Sequence, residues 1–163
     1  MDPVTVSITI DRPREEIFDY LADIANHPEF TDHYLKDWRL TRSDSWGQGA
    51  GARYRVDRRN RFSWAETNFS RVEPPYRIVG VGRGGKYNRV KNLTTWTLTP
   101  AAGGGTRVEF TAETEPAMMS DRLVEALGYR GWFKRQSAKA LRRLRLILET
   151  GEDRGPRASV AGL

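Results

Sequence analysis

Few residues in this chain are of a type that does chemistry. His27 and His33 are the only imidazoles, and there is no cysteine. That excludes thiol nucleophiles, disulfides and zinc sites built on thiolates. His27 stands before Pro28 and His33 follows Asp32, so two imidazoles and a carboxylate share one segment. Such a set can ligate a metal, but the simpler reading is a helix-terminal His27 facing the negative end of a helix dipole. The expectation is no metal and no cofactor. Glu66 is the more pointed candidate, because it follows Phe62 and Trp64 in a strand-like run. In an apolar cavity its carboxyl would rise in pKa and could act as a general acid or base. On the surface it would only pair with Arg53, Arg55 or Arg77, at little energetic value. Asn68 and Tyr87 could orient a ligand carbonyl or hydroxyl beside it. Gly82–Gly85 lacks the strand–loop–helix context and the Lys-Ser/Thr of a phosphate loop.

The elements that must position these residues follow from periodicity. Val4, Val6, Ile8 and Ile10 alternate with Thr5, Ser7 and Thr9, which predicts a half-buried strand. Ile17, Phe18, Tyr20, Leu21 and Ile24 then recur at helical spacing until Asn26-His27-Pro28, where the proline pushes its predecessor out of the helical region. A second short helical turn through Glu29, Phe30 and Tyr34 joins this helix to a series of strands. The period returns to two at Trp38 and Leu40, and again at Ala52, Tyr54 and Val56. The polar reversal Asp57-Arg58-Arg59-Asn60 predicts a hairpin into Phe62–Val72. Two registers compete on that strand: Phe62, Trp64, Glu66 and Asn68 inward, or Ala65, Thr67 and Phe69 inward. The aromatic content of the first favours it. Strands over Arg77–Val81, about Tyr87–Thr99 and around Val108-Phe110-Ala112 follow.

Met118, Met119, Leu123 and Leu127 lead into the last amphipathic stretch. There Phe133, Ser137, Ala140, Leu141, Leu144, Ile147 and Leu148 recur at spacings of three and four. Gly128 and Gly131 interrupt helical propensity and predict a break ahead of a long final helix. An amphipathic helix needs a partner surface, and an antiparallel meander with one face to bury supplies it. The class is therefore α+β. The domain is read as residues 1–150, and residues 151–163 as a flexible tail short of apolar side chains.

Composition is ordinary for a globular chain, at 38% hydrophobic and 29% charged residues among 163. The net charge of +6 is spread along the chain with acidic residues interspersed, which argues against a phosphate-tracking groove. No specific nucleic-acid partner is expected. No run reaches the ~20 apolar residues of a membrane span, and MDPVTVSITI is not a secretory signal. A cytoplasmic location is expected, and no oligomeric state follows.

The order of elements and several phrases together resemble the START-like helix-grip superfamily, and within it the polyketide cyclase/dehydrase and lipid-transport group of SRPBCC proteins. The phrases are Asp11-Arg12-Pro13-Arg14-Glu15-Glu16-Ile17-Phe18-Asp19-Tyr20-Leu21, Asn26-His27-Pro28-Glu29-Phe30, Glu73-Pro74-Pro75-Tyr76-Arg77-Ile78, Trp96-Thr97-Leu98-Thr99-Pro100 and Gly105-Thr106-Arg107-Val108. The resemblance implies a curved antiparallel sheet of about six to seven strands around a long C-terminal helix, with two short helices after the first strand. It also implies a largely apolar cavity between sheet and helix.

Trp38, Tyr54, Val56, Trp64, Glu66, Tyr87, Trp96, Phe110, Met118 and Phe133 are the expected lining. The leading functional reading is binding of a small apolar or aromatic ligand: a lipid, quinone or polyketide-like molecule. A second reading is a cyclase/dehydrase-type enzyme that uses Glu66, Asn68 and Tyr87. A third is a protein-partner or membrane-surface adaptor using Arg142, Arg143 and Arg145. Fold alone does not choose between them.

Overall fold

The computed structural model describes residues 1–59, 61–124 and 128–162. Asn60 and Leu127, expected in the hairpin reversal and beside Met118, lie outside the described residues. Strand β1 (Val4–Ile10) leads into helix α1 (Arg14–Ala22), a 3-10 turn and helix α2 (His27–Thr31). Strands β2 (Leu35–Leu40), β3 (Gly51–Arg58), β4 (Arg61–Glu73), β5 (Arg77–Gly84), β6 (Val90–Pro100) and β7 (Thr106–Glu115) follow. Helices α3 (Met119–Val124) and α4 (Arg130–Thr150) end the ordered elements. The break ahead of α4 falls at Gly128, whose φ of 84° is left-handed and favours glycine.

All seven strands form one antiparallel sheet in the order β1-β7-β6-β5-β4-β3-β2. The meander β2 to β7 uses only neighbour-to-neighbour connections, and β1 closes beside β7. This is the helix-grip arrangement: a curled sheet with α4 against it, packed mainly on β1 and α2.

Side-chain parity defines the inner face row by row. Tyr54 of β3 stands opposite Ala65, Ala65 opposite Gly84, and Gly84 opposite Val90. The next row is Ala52, Thr67, Gly82, Asn92 and Thr114, followed by Phe69, Gly80, Thr94 and Ala112. β5 therefore presents Ile78 and then three glycines inward. Gly82 and Gly84 lie inside the strand with Gly80, not past its end at Val81 as the sequence reading placed them. A Cβ on Gly82 would come within 1.8 Å of the Glu66 carbonyl oxygen, so only glycine allows β4 and β5 to approach this closely.

The closed part of the core lies at the α1 end, where Ile10, Ile17, Phe18, Leu21, Ile24, Ile78, Leu98, Val108, Leu141, Leu144 and Ile147 are essentially inaccessible. Burying such side chains contributes about 1.5–3 kcal/mol each. Toward the other end of α4 the glycine row leaves the sheet without large side chains, and the core opens.

Two readings from sequence are corrected here. On β4 the inward residues are Ser63, Ala65, Thr67 and Phe69, not Phe62, Trp64, Glu66 and Asn68. Phe62 is 63% exposed and Trp64 36%, each covered from outside by an arginine: Arg55 over Phe62 at 5.3 Å and Arg53 over Trp64 at 4.8 Å. These cation–π contacts explain aromatic residues on an outer face.

Residues 151–162, read as a free tail, instead lie along α2 and the β2 edge. The Gly155 amide donates to the Glu29 carbonyl at 2.8 Å, Ala158 to Ala25 at 2.9 Å, and Leu40 to the Ser159 carbonyl at 2.9 Å. Ala158 is buried. The segment covers an otherwise open strand edge, and its polar composition hid that role.

Candidate functional site

A space of about 500 Å³ opens between the inner face of the sheet and the start of α4. Its walls include Tyr34, Tyr54, Val56, Phe110, Ala112 and Phe133. Lys86, Arg89 and Tyr129 stand among the residues bounding it from the β5–β6 loop and the α3–α4 junction. The volume falls within the usual range of small-molecule sites. Tyr34 is buried and Tyr54 partly buried, and removal from water pushes both phenols well above their ordinary pKa. They remain protonated donors at any working pH.

Behind this space lies a narrower recess of about 60 Å³, reached past Tyr34, Tyr54, Thr94 and Phe110, which line both. Its own walls include Trp38, Phe69, Trp96, Thr67, His27 and Ser137. The aromatic groups meet edge to face or tilted: Trp38 on Tyr54 at 4.5 Å, Trp96 on Phe110 at 4.5 Å, His27 on Trp96 at 5.8 Å between ring centroids. Such pairs add about 0.5–1.5 kcal/mol beyond area burial.

His27 lines this inner recess. Its Nε2 donates to the Leu21 carbonyl at 2.8 Å, in the last turn of α1. That is the helix-terminal role expected of it, filled by a neutral ring: burial lowers its pKa from 6.5 to about 4. His33 is elsewhere. Its Nε2 meets the Gln136 carbonyl at 3.2 Å, and its Nδ1 accepts from Arg143 at 3.2 Å. The two imidazoles therefore do not converge. Among the described residues, no group of three His, Cys, Asp or Glu side chains can hold a metal ion.

The expected lining divides cleanly. Trp38, Tyr54, Val56, Trp96, Phe110 and Phe133 face the space or its recess. Trp64, Glu66 and Asn68 do not: they stand on the opposite face of the sheet, in the cross-strand row Arg53, Glu66, Arg83, Lys91, Glu115 or beside it. Tyr87 is 78% exposed in the β5–β6 loop, with Arg89 and Lys86 over its ring, and Met118 is 49% exposed on the way to α3. Glu66 and Asn68 instead border a groove on the outer face of the sheet with Arg83 and Lys91, and Tyr87 lines neither that groove nor the inner space. Tyr34, Thr67, Thr94 and Asn92 also border these spaces and were not in the expected lining, although Thr67 belonged to the alternative register of β4. Thr94 was legible on the face of Trp96, and the period-two glycines of β5 carried the signal for an open space.

The basic face proposed for an adaptor is also altered. Arg143 is buried, at 8% exposure, and binds Asp32, Asp153 through Nε at 2.9 Å, and the Glu29 carbonyl at 3.1 Å. It is an internal tie between α4, α2 and the C-terminal segment, so of the three arginines Arg142 and Arg145 stay at or near the surface of that helix.

These features define a helix-grip domain with an aromatic-lined space between its sheet and its last helix. The chain belongs to the family described as polyketide cyclase / dehydrase and lipid transport, whose model matches residues 1–149. No curated protein matches the sequence. Among solved structures, TTHA0849 from Thermus thermophilus is similar over 92% of this chain and 99% of its own, at 14% identity and a TM-score of 0.71. Major latex-like protein 151 from Panax ginseng is similar over 88% and 94%, at 9% identity and a TM-score of 0.66. DynU16, described as a putative protein in the dynemicin biosynthetic locus, is similar over 95% of this chain and 50% of its own, at 20% identity and a TM-score of 0.64. At these identities the likeness is one of fold.

Proposed function

We propose that this chain binds a small apolar or aromatic molecule, of lipid, quinone or polyketide-like character, between the sheet and α4. The observation that carries the reading is the pairing of a glycine row on β5 with an aromatic wall. Gly84 borders a space of about 500 Å³ together with Tyr54, Phe110 and Phe133, and Gly82 and Gly80 continue the bare inner face of β5 behind it. A protein interior is normally packed to crystal-like density. A void of this size under a long helix is therefore a feature that the sequence keeps open at a cost in packing. The family description, with its cyclases and lipid carriers, supports the same reading.

Two measurements test it. Native mass spectrometry of freshly purified protein is expected to show a retained small molecule. Titration with the neutral apolar probe N-phenyl-1-naphthylamine is expected to saturate at one site. Ala65→Phe, which puts a ring into the space from β4, should weaken that binding by about tenfold or more. Unsaturable binding, or equal binding by Ala65→Phe, would sink the proposal.

A further inference from the structure

The recess behind the main space holds polar atoms that its walls do not satisfy. Thr67 Oγ1 is buried without a hydrogen-bond partner, on a residue only 7% exposed. Thr94 Oγ1 reaches only the Gly80 carbonyl, at 3.4 Å, long for a hydroxyl donor. A methyl on Gly80 would stand 2.6 Å from Thr94 Oγ1 and 2.9 Å from Thr67 Oγ1. The two hydroxyls therefore flank the bare α-carbon of Gly80. From α4, Ser137 Oγ is likewise buried and stands beside the Tyr34 hydroxyl. His27 spends its Nε2 proton on Leu21, so its Nδ1 carries a lone pair and is an acceptor.

A buried hydroxyl left unpaired costs about 1–3 kcal/mol, and Thr67 carries one on the wall of a recess of about 60 Å³. Liquid water occupies about 30 Å³ per molecule, so the recess has room for one or two waters, or for the oxygen-bearing end of a larger molecule. No Lys, Arg, Asp or Glu lines it, so a carboxylate or ammonium entering it would lose hydration with no counter-charge. A hydrocarbon end would leave Thr67 unpaired. A carbonyl could accept from threonine but would give nothing to His27 Nδ1. A hydroxyl does both.

We propose that the recess is a hydrogen-bonding subsite that selects ligands whose buried end is a neutral hydroxyl, of the phenol or alcohol kind, held by Thr67 and the Nδ1 of His27. The inference rests on the main space being a ligand site and adds which end of the ligand enters first. The test compares 2-naphthol with 2-methylnaphthalene, which differ by a hydroxyl for a methyl, by titration calorimetry on the full chain.

Wild-type protein is expected to prefer the naphthol by about tenfold or more, as sites built to bond a hydroxyl reject the analogue lacking it. Thr67→Val, nearly isosteric, should bring that preference to within about twofold, while Thr67→Ser keeps it. Melting curves of both variants report whether the fold is retained, and the wild-type comparison stands without them. Equal affinities in the wild type, the result for a recess that holds water only, overturn the subsite and leave the ligand site standing. An unchanged preference in Thr67→Val also overturns it. Binding of neither compound overturns both readings.

Discussion

His27 shows how one buried ring ties stability to pH. Its folded pKa of about 4 lies below the ordinary 6.5 because burial disfavours the charged form more than the Leu21 carbonyl favours it. Between those two values the unfolded chain binds a proton that the folded chain refuses. The stabilisation is therefore full above pH 6.5 and is lost as pH falls through 4, with an upper size of about 3 kcal/mol. His33 is lowered in the same direction, also chiefly by burial, and adds to the same slope. Denaturant titrations at pH 7 and pH 5 should show the loss, and His27→Gln should flatten it. A pH-independent midpoint in the wild type would contradict the neutral assignment.

Arg143 is the other residue whose surroundings set its worth. Replacing it with alanine leaves Asp32 and Asp153 without their shared cation, and the Glu29 carbonyl without its donor. Both carboxylates are partly exposed, so water takes over much of the lost pairing, and the cost is that of charge-assisted hydrogen bonds and lost packing, about 1.5–3 kcal/mol. The expected result is a large fall in the urea midpoint for Arg143→Ala, against a change within about 0.5 kcal/mol for Arg142→Ala on the exposed face. Glu66→Gln is expected to leave both stability and probe binding nearly unchanged, since its side chain faces away from the space. A tenfold loss of probe affinity would show that this assignment of faces is wrong.

At the scale of elements, β5 decides whether there is a space at all. Its inner positions beyond Ile78 are glycines, and its outer positions Val79, Val81 and Arg83 keep the strand's β character. Gly82→Ala drives a methyl into the Glu66 carbonyl and should separate β4 from β5. Chemical denaturation is expected to show destabilisation of about 2 kcal/mol or more. Gly103→Ala is the control for glycine removal where the position meets no neighbour. It should cost only the strain of a positive φ, about 1 kcal/mol.

At the scale of the molecule, the C-terminal segment holds α2 in place over the recess. Asp153 meets Arg143, Arg154 meets Glu29 at 3.0 Å, and Arg157 meets both Asn26 and Asp23. Deleting residues 152–163 is expected to lower the melting temperature and to raise amide exchange at Phe30, Thr31 and Leu40. A variant with unchanged exchange there would mean that the segment only rests on the surface.

The sequence by itself determined the order of elements, the break at Gly128, the inward stripe of α4 and the inward positions of β3, β6 and β7. The break follows from the low helix propensity of glycine, and the rest from local periods, because backbone geometry repeats every two residues in a strand and 3.6 in a helix. Two things were left to the tertiary structure. The face of β4 was one, because Phe62 and Trp64 offer aromatic surface on one side and Phe69 on the other, and period alone cannot choose. Pairing with β3 and β5, and the arginines that cover the outward rings, settled it. The destination of Arg143 and of residues 151–162 was the other. Polar residues in polar segments carry no periodic signal, and their burial depends on partners more than 100 positions away in the chain, as Arg143 finds in Asp32 and Arg157 in Asn26.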